Sequence, residues 1–150
     1  MIYIFDIDGT LADISHRLHF IQQKPADWTG FFRACPADKP IKEVVEIYKV
    51  LQNEHSIKII TGRSSEILDE TAQWLGDNGM FFSDLLMRES GDHREDYIVK
   101  AELFDNLIRT HYWNQDPVEL IAGIFEDRKQ VVKMYRAKGL RVFQVAEGNF

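Results

Sequence analysis

The chain is expected to fold as an α/β domain, a doubly wound, mainly parallel five-stranded sheet with a minimal helical cap. Two observations predict it. Short apolar runs of strand length alternate with amphipathic stretches of helical period, and polar residues capable of chemistry stand where the apolar runs stop. Strands alternating with helices of this length call for right-handed crossovers, which make the sheet parallel and bury it on both faces.

The elements follow in order. IYIF (2 to 5) is the first strand and runs into DIDGT; residues 12 to 56 then supply about two helices before IKII (57 to 60) makes the second strand. After Gly62 and Arg63, the SSE of residues 64 to 66 offers an N-cap, Ile67, Leu68, Thr71, Trp74 and Leu75 form a helical face, and Gly76 or Gly79 stops it. MFFSDLLM (80 to 87) reads as the third strand, and DYIVKAELF as a helix whose apolar side is Ile98, Val99, Leu103 and Phe104. LIAGIF (120 to 125) is the fourth strand. Residues 128 to 138 repeat the helical scheme with Val131, Val132, Met134 and Tyr135 before Gly139, and LRVFQV (140 to 145) closes the sheet.

At 150 residues and 45% hydrophobic, residues 1–150 are expected to form a single domain, with a small cap insert at about 12–40. The single cysteine, Cys35, excludes an internal disulfide, fits a reducing compartment and reads as a small half-buried apolar residue. No leader-like segment and no run near the roughly 18 apolar residues of a membrane span is present, so a cytoplasmic protein is expected. A net charge of −6 argues against a broad, sequence-independent grip on nucleic acid. No obligate protein partner is implied.

In a doubly wound sheet the working residues gather beyond the carboxyl ends of the strands. Asp6 and Asp8 follow the first strand, Thr61 and Arg63 the second, and Glu126, Asp127 and Arg128 the fourth. Two residues apart on extended backbone, Asp6 and Asp8 share a face, and two anions that close need a cation. The oxygen-rich set Asp6, Asp8 and Asp127 suits Mg²⁺, while no histidine pair of zinc-like spacing accompanies Cys35. Each motif alone has a plainer reading. Asp8 and Gly9 can make a turn with Thr10 as a cap, Thr61 can be ordinary strand-end polarity, and Asp96 with Lys100 can be a solvated i, i+4 pair.

Together these residues resemble the haloacid dehalogenase (HAD) superfamily of phosphatases. DIDGT (6 to 10) resembles its first motif, Thr61 its second, the helical Lys100 its third and Glu126–Asp127 its fourth. The resemblance implies an aspartyl-phosphate route, in which Asp6 attacks phosphorus, Asp8 protonates the leaving oxygen and then activates water, and Mg²⁺ neutralises phosphoryl charge. In that scheme Thr61 donates a hydroxyl proton to a phosphoryl oxygen, Arg63 and Lys100 stand close to the phosphoryl group, and Asp8 needs a raised pKa to act as an acid.

A narrower resemblance links FDIDGTLADISHR, TGR, MRESGDHREDYIVKAELF and FEDRKQVVKMYRAKGLRVFQVAEGNF to the 3′-phosphatase domain of phage polynucleotide kinase/phosphatase enzymes. It implies catalytic or phosphate-binding work at Asp6, Asp8, Arg17, Arg63, Asp96, Lys100 and Asp127, and places Arg17 and Arg88 in a pocket for a polynucleotide 3′ end. Glu126 stands where that family usually has aspartate, so the metal ligand is assigned to Asp127. No GxxxxGK[S/T] loop occurs, and a free-standing phosphatase is expected.

An insert too small for a large lid leaves an open site that suits a polymer end. His16, Arg17, His19, Phe20, Trp28, Phe31, Phe32 and Arg33 could contact a terminal nucleotide, although the four aromatics at helical spacing read more simply as core; of the histidines, only His16 lies close enough to the first motif to matter. Three functions stay open: a phosphatase of 3′-phosphorylated DNA or RNA ends, a phosphatase of mononucleotides or small metabolites, and a non-catalytic binding module. The intact Asp6, Asp8, Lys100 and Asp127 count against the last.

Overall fold

The computed structural model describes residues 1–148. In chain order the elements are β1 (Ile2–Phe5), β2 (Ala12–Asp13), α1 (His19–Gln22), α2 (Trp28–Arg33), β3 (Lys39–Pro40), α3 (Lys42–Leu51), β4 (Ser56–Ser64), α4 (Leu68–Asp77), β5 (Asp84–Arg88), α5 (Asp96–His111), α6 (Pro117–Leu120), β6 (Ile121–Arg128), α7 (Lys129–Ala137) and β7 (Val142–Gly148). The last resemblance motif extends to Asn149 and Phe150, which lie outside the described residues. Five strands form one sheet in the order β5-β4-β1-β6-β7, and every pairing is parallel. The chain builds outward from β1 through β4 to β5, then crosses back to lay β6 and β7 on the other side. The order therefore reverses beside β1, and its carboxyl end opens on the crevice where such sheets place their sites.

Both faces of the sheet are covered, which is why the strands read as nearly continuous apolar runs. Phe5, Ile57, Ile59 and Phe125 point to one layer, against Val44, Val45 and Tyr48 of α3 and Trp74 and Leu75 of α4. Their neighbours Ile4, Ile60 and Ile124 point the other way, against Phe104 of α5 and Val131, Val132 and Tyr135 of α7. This is the two-residue alternation of extended chain feeding two separate cores. Phe5 sits at the centre of the first, its ring stacked on Phe125 at 4.3 Å and tilted against Tyr48 at 4.7 Å.

Three local expectations are corrected. The third strand begins at Asp84 and not at residue 80, because Gly79 turns the chain at φ +73 and Met80 plugs the core while Phe81 is exposed. Pairing starts where the Ser83 amide reaches the Ile57 carbonyl at 2.8 Å. Cys35 is fully buried rather than half-buried, on the last turn-like helix before β3. The stretch before β4 holds more pieces than two helices: 3₁₀ turns at Ser15–Arg17 and Cys35–Ala37, the helices α1, α2 and α3, and the antiparallel β2–β3 pair. Among the described residues no helix is long and apolar enough to cross a membrane.

Because Phe5 ends β1 directly before Asp6, its packing fixes the strand that presents the acids. Phe5→Ala should cost about 3–5 kcal/mol, seen as a lower urea midpoint with an unchanged slope. A loss below about 1 kcal/mol would show that Tyr48 and Phe125 close the gap without it.

Candidate active site

The end of β1 passes into a tight turn in which the amides of Thr10, Leu11 and Ala12 all reach the Ile7 carbonyl. Gly9 permits it, with φ +84 and no side chain: a Cβ there would lie 2.2 Å from a carboxylate oxygen of Asp127. The turn thus presses the first motif onto the end of β6. Thr10 is buried between the two acids, its hydroxyl 3.4 Å from Asp6 Oδ2 and 3.3 Å from Asp127 Oδ1. The plainer reading of DIDGT makes Thr10 a helix cap, and the structure places it between the acids instead.

Lys100 projects from α5 into the same spot and is buried. Its Nζ lies 2.8 Å from Asp6 Oδ1, 2.8 Å from Glu126 Oε2 and 3.2 Å from Asp96 Oδ2. The solvated-pair reading of Asp96 and Lys100 is therefore wrong. Burial works against the ammonium, but the three carboxylates outweigh it and hold its pKa well above the ordinary value. Asp96 also pairs with Arg88 at 3.2 Å and Arg128 at 3.3 Å, and these cations with Lys100 keep it low although burial opposes them. Gly62 at the end of β4 admits this carboxylate, since a Cβ there would meet Asp96 Oδ1 at 2.1 Å.

Asp6, Glu126 and Asp127 each offer an oxygen within 4.8 Å of the others. Burial, then the charge of Glu126, pushes the Asp6 carboxyl up to about 8, with Lys100 opposing. Burial likewise lifts Glu126 and Asp127 to about 7. Three acids sharing one ammonium leave the cluster short of positive charge, and hard oxygen donors at this spacing fit a small divalent cation. Glu126, where the assignment had been left open, belongs to the cluster, but its oxygens already have protein partners. Oε1 accepts from the amides of Asp127 and Arg128 at 3.1 and 3.0 Å, and Oε2 holds Lys100. Asp127 and Asp6 are the freer ligands.

Asp8 departs from expectation twice. Its side chain lies outside this cluster, and its pKa is lowered, not raised. Burial would raise it, but Arg63 and Arg17 together prevail. Arg63 Nε stands 2.9 Å and Arg17 Nη2 2.8 Å from Asp8 Oδ1. Both guanidiniums are fully buried and both also bind Asp38, Arg17 through Nε and Nη2 at 2.7 Å each and Arg63 through Nη2 at 2.8 Å. The four side chains form a closed, charge-balanced quartet, with His16 Nε2 2.7 Å from Asp38 at its outer edge. Arg17 was expected on the substrate; its Nη1 donates to the Phe31 carbonyl, and all three nitrogens are spent inside the protein. Asp38 went unnoticed because nothing in CPADKP distinguishes it from an ordinary turn acid.

Of the remaining expected residues, Arg88 lines the cavity and Thr61 lies buried at the end of β4. Arg88 ties the following loop to β4, donating to the carbonyls of Gly62 at 2.9 Å, Asp92 at 3.2 Å and Arg94 at 2.7 Å as well as pairing with Asp96. Thr61 is buried, and its Oγ1 accepts the Arg63 amide at 3.2 Å. Above the acids opens a cavity of about 430 Å³ that reaches Asp6, Asp8, Gly62, Arg88, Asp96 and Lys100.

Residues 1–150 match the family model of the polynucleotide kinase PNKP phosphatase domain over their whole length. The chain belongs to that family. A protein of Autographa californica nuclear polyhedrosis virus, named as a bifunctional polynucleotide kinase/RNA ligase, is 30% identical over 134 residues, covering 87% of this chain and 17% of its own. A chain in the Pnkp1/Rnl/Hen1 RNA repair complex superposes with a TM-score of 0.80 at 27% identity, covering 99% of this chain and 43% of that one. The chain therefore spans less than half the length of these relatives. A HAD family enzyme of Bacteroides thetaiotaomicron, solved as an Asp-to-Ala variant with magnesium and inorganic phosphate, shares the fold at 12% identity and a TM-score of 0.59, over 99% of this chain and 95% of that one. Membership makes the domain a HAD phosphatase.

The raised carboxyls set a pH dependence. Each binds its proton more tightly folded than unfolded, so the stability they contribute is full below the ordinary carboxylate range, 3.8 for Asp6, and is lost as pH climbs to about 8. The melting temperature of chelator-treated protein should fall from about pH 5 to about pH 8, and an added divalent cation should raise it more at the upper end. A melting curve insensitive to the cation at both pH values would remove the cluster as a metal site. Arg17→Ala should lower turnover of p-nitrophenyl phosphate and of a 3′-phosphorylated oligonucleotide alike, since it acts through Asp8; Arg17→Lys, read beside it, keeps the charge. A loss confined to the oligonucleotide would put Arg17 back on the substrate.

Proposed function

We propose that this domain is a Mg²⁺-dependent phosphatase of 3′-phosphorylated nucleic acid ends, acting through an aspartyl-phosphate at Asp6. The observation that carries it is the position of Asp6: at the floor of an open cavity, with Lys100 on one oxygen and Asp127 alongside, in a chain matched from end to end by this phosphatase family. The names of its relatives, which refer to polynucleotide kinase and RNA repair, favour a polynucleotide end as substrate.

Asp6 and Asp127 would hold the metal with Glu126 beside them, and when bound it would supply positive charge to the acids and to the phosphoryl oxygens. A carboxylate oxygen of Asp6 forms the bond to phosphorus while the ester P–O bond breaks, and Lys100 steadies the attacking group. Asp8 gives its proton to the departing 3′ oxygen. Water then attacks the aspartyl-phosphate, Asp8 takes a proton from it, and inorganic phosphate and free Asp6 are restored. Arg63 and Arg17 hold Asp8 ionised in the free protein, the state that activates water, and the negative charge of an arriving phosphoryl group favours the protonated state needed first. Arg17 and Arg63 thus serve as positioning residues for Asp8.

The cavity volume also suits a free mononucleotide, so substrates have to be compared directly. A panel of 3′- and 5′-phosphorylated oligonucleotides and free nucleotides, with Mg²⁺ and with EDTA, should show preferred release from 3′ ends that EDTA abolishes. Asp6→Asn should reduce release to background while the protein stays folded. Substantial turnover by that variant would end the aspartyl-phosphate route, and equal turnover of free nucleotides would move the substrate class to small molecules.

A further inference from the structure

One wall of the cavity above Asp6 takes no part in the phosphoryl chemistry. Trp28, the first residue of α2, lines it and is 50% exposed. It belongs to a cluster whose other members also border the cavity but are less exposed: Phe31 is buried under the Arg17 guanidinium, 4.2 Å from its ring centre, and Phe32 is half-buried. Trp28 meets Phe31 edge-on at 5.8 Å and Phe32 at 6.1 Å. The short helix beneath it is fixed. Asp27 caps it through the Gly30 amide at 2.9 Å, and Gly30 lies so close to α1 that a Cβ would stand 2.7 Å from the Phe20 ring. An indole held this way keeps a ring face available without ordering cost, which is what base stacking requires. The expectation that these aromatics are core holds for Phe31 and fails for Trp28.

The other rim of the cavity is anionic. Glu66, Glu89, Asp92 and Glu95 line it and outnumber the bases beside them: Arg94 is turned to Asp92 and Glu102, 2.8 and 2.7 Å away, and Arg128 to Asp96 at 3.3 Å, with His93 alongside. Such a rim repels successive phosphates, whereas proteins that track a nucleic acid backbone use a positive groove. A cavity of about 430 Å³ lies within the range of small-ligand clefts. We infer that Trp28 is the platform on which the base of the 3′-terminal nucleotide stacks while its phosphate reaches Asp6, so that recognition rests on that one nucleotide and not on the backbone behind it. The inference rests on the phosphatase reading and adds the means by which a nucleotide is told from another phosphomonoester.

The test uses 3′-phosphorylated oligonucleotides ending in a normal or an abasic residue. Trp28→Ala should lower kcat/KM on the normal end about tenfold, mostly through KM, and Trp28→Phe should recover most of it. The abasic end should be as poor a substrate for the unaltered protein as the normal end is for Trp28→Ala, and should lose nothing further in that variant. Independently of turnover, a nucleoside 3′-monophosphate should quench the tryptophan fluorescence of Asp6→Asn protein while inorganic phosphate does not. Adding Trp28→Phe should remove the quench, with Trp74 and Trp113 still present. Equal handling of normal and abasic ends by the unaltered protein, or equal loss on both in Trp28→Ala, overturns the platform and leaves the phosphatase standing. If the unaltered protein releases phosphate from no 3′ end, the phosphatase reading falls instead, and the quench alone decides the role of Trp28.

Discussion

A buried ammonium needs carboxylates around it, and Lys100 has three, from three elements: Asp6 after β1, Glu126 in β6 and Asp96 in its own helix. Stripping water from any of these charges singly costs several kcal/mol, so each is tolerable only because the others are there. That mutual dependence locks α5 onto the carboxyl edge of the sheet. The glycines at 9 and 62 belong to the same arrangement, since a side chain at either would strike a carboxylate of the cluster.

Around this lock the buried charge divides into two unlike groups. The Asp8, Asp38, Arg17 and Arg63 quartet is balanced and closed, with each guanidinium bonded to both acids. Its two guanidiniums are fully buried and bonded to the acids, and it meets the cavity through Asp8. The Asp6, Glu126 and Asp127 group is anion-rich and reaches the cavity through Asp6, so it gains from an added cation. The two acids of one short motif therefore lie in opposite environments, one lifted by burial and like charge, the other held down by two arginines. Pairs of titratable groups driven apart in this way are what acid–base chemistry exploits. In the proposed reaction the unbalanced group is where a phosphate and its counter-ion would meet, and the balanced one beside it would give the proton-transfer group a fixed seat.

The sheet, its parallel order and the gathering of polar residues at its carboxyl edge were legible in the sequence, because strand and helix periods are local and a buried parallel strand shows as an unbroken apolar run. Asp6 and Asp127 were legible together because both stand at strand ends that this topology brings to one edge, whereas Lys100 joined them only through the resemblance to the HAD family. The start of β5 was not, since Met80 and Phe81 are alike in hydrophobicity and differ only in which one the core accepts. Nor was the exposure of Trp28, which shares a helical pattern with residues that are buried.

What the sequence determined by itself was the five strands of the main sheet, the helices that follow β4, β5 and β6, and the presence of acids where strands stop. Which charge faces which was decided by tertiary structure alone. Arg63 reaches Asp8 across 55 positions, Arg17 reaches Asp38 across 21, Lys100 reaches Asp6 across 94 and Thr10 reaches Asp127 across 117. No local periodicity encodes contacts of that span, and an arginine bound to substrate has the same sequence signature as one buried behind a catalytic acid. Arg17 is held on Asp8 because the tertiary structure buries it with the Phe31 carbonyl of α2 and the Asp38 carboxylate before β3, which take its other donors.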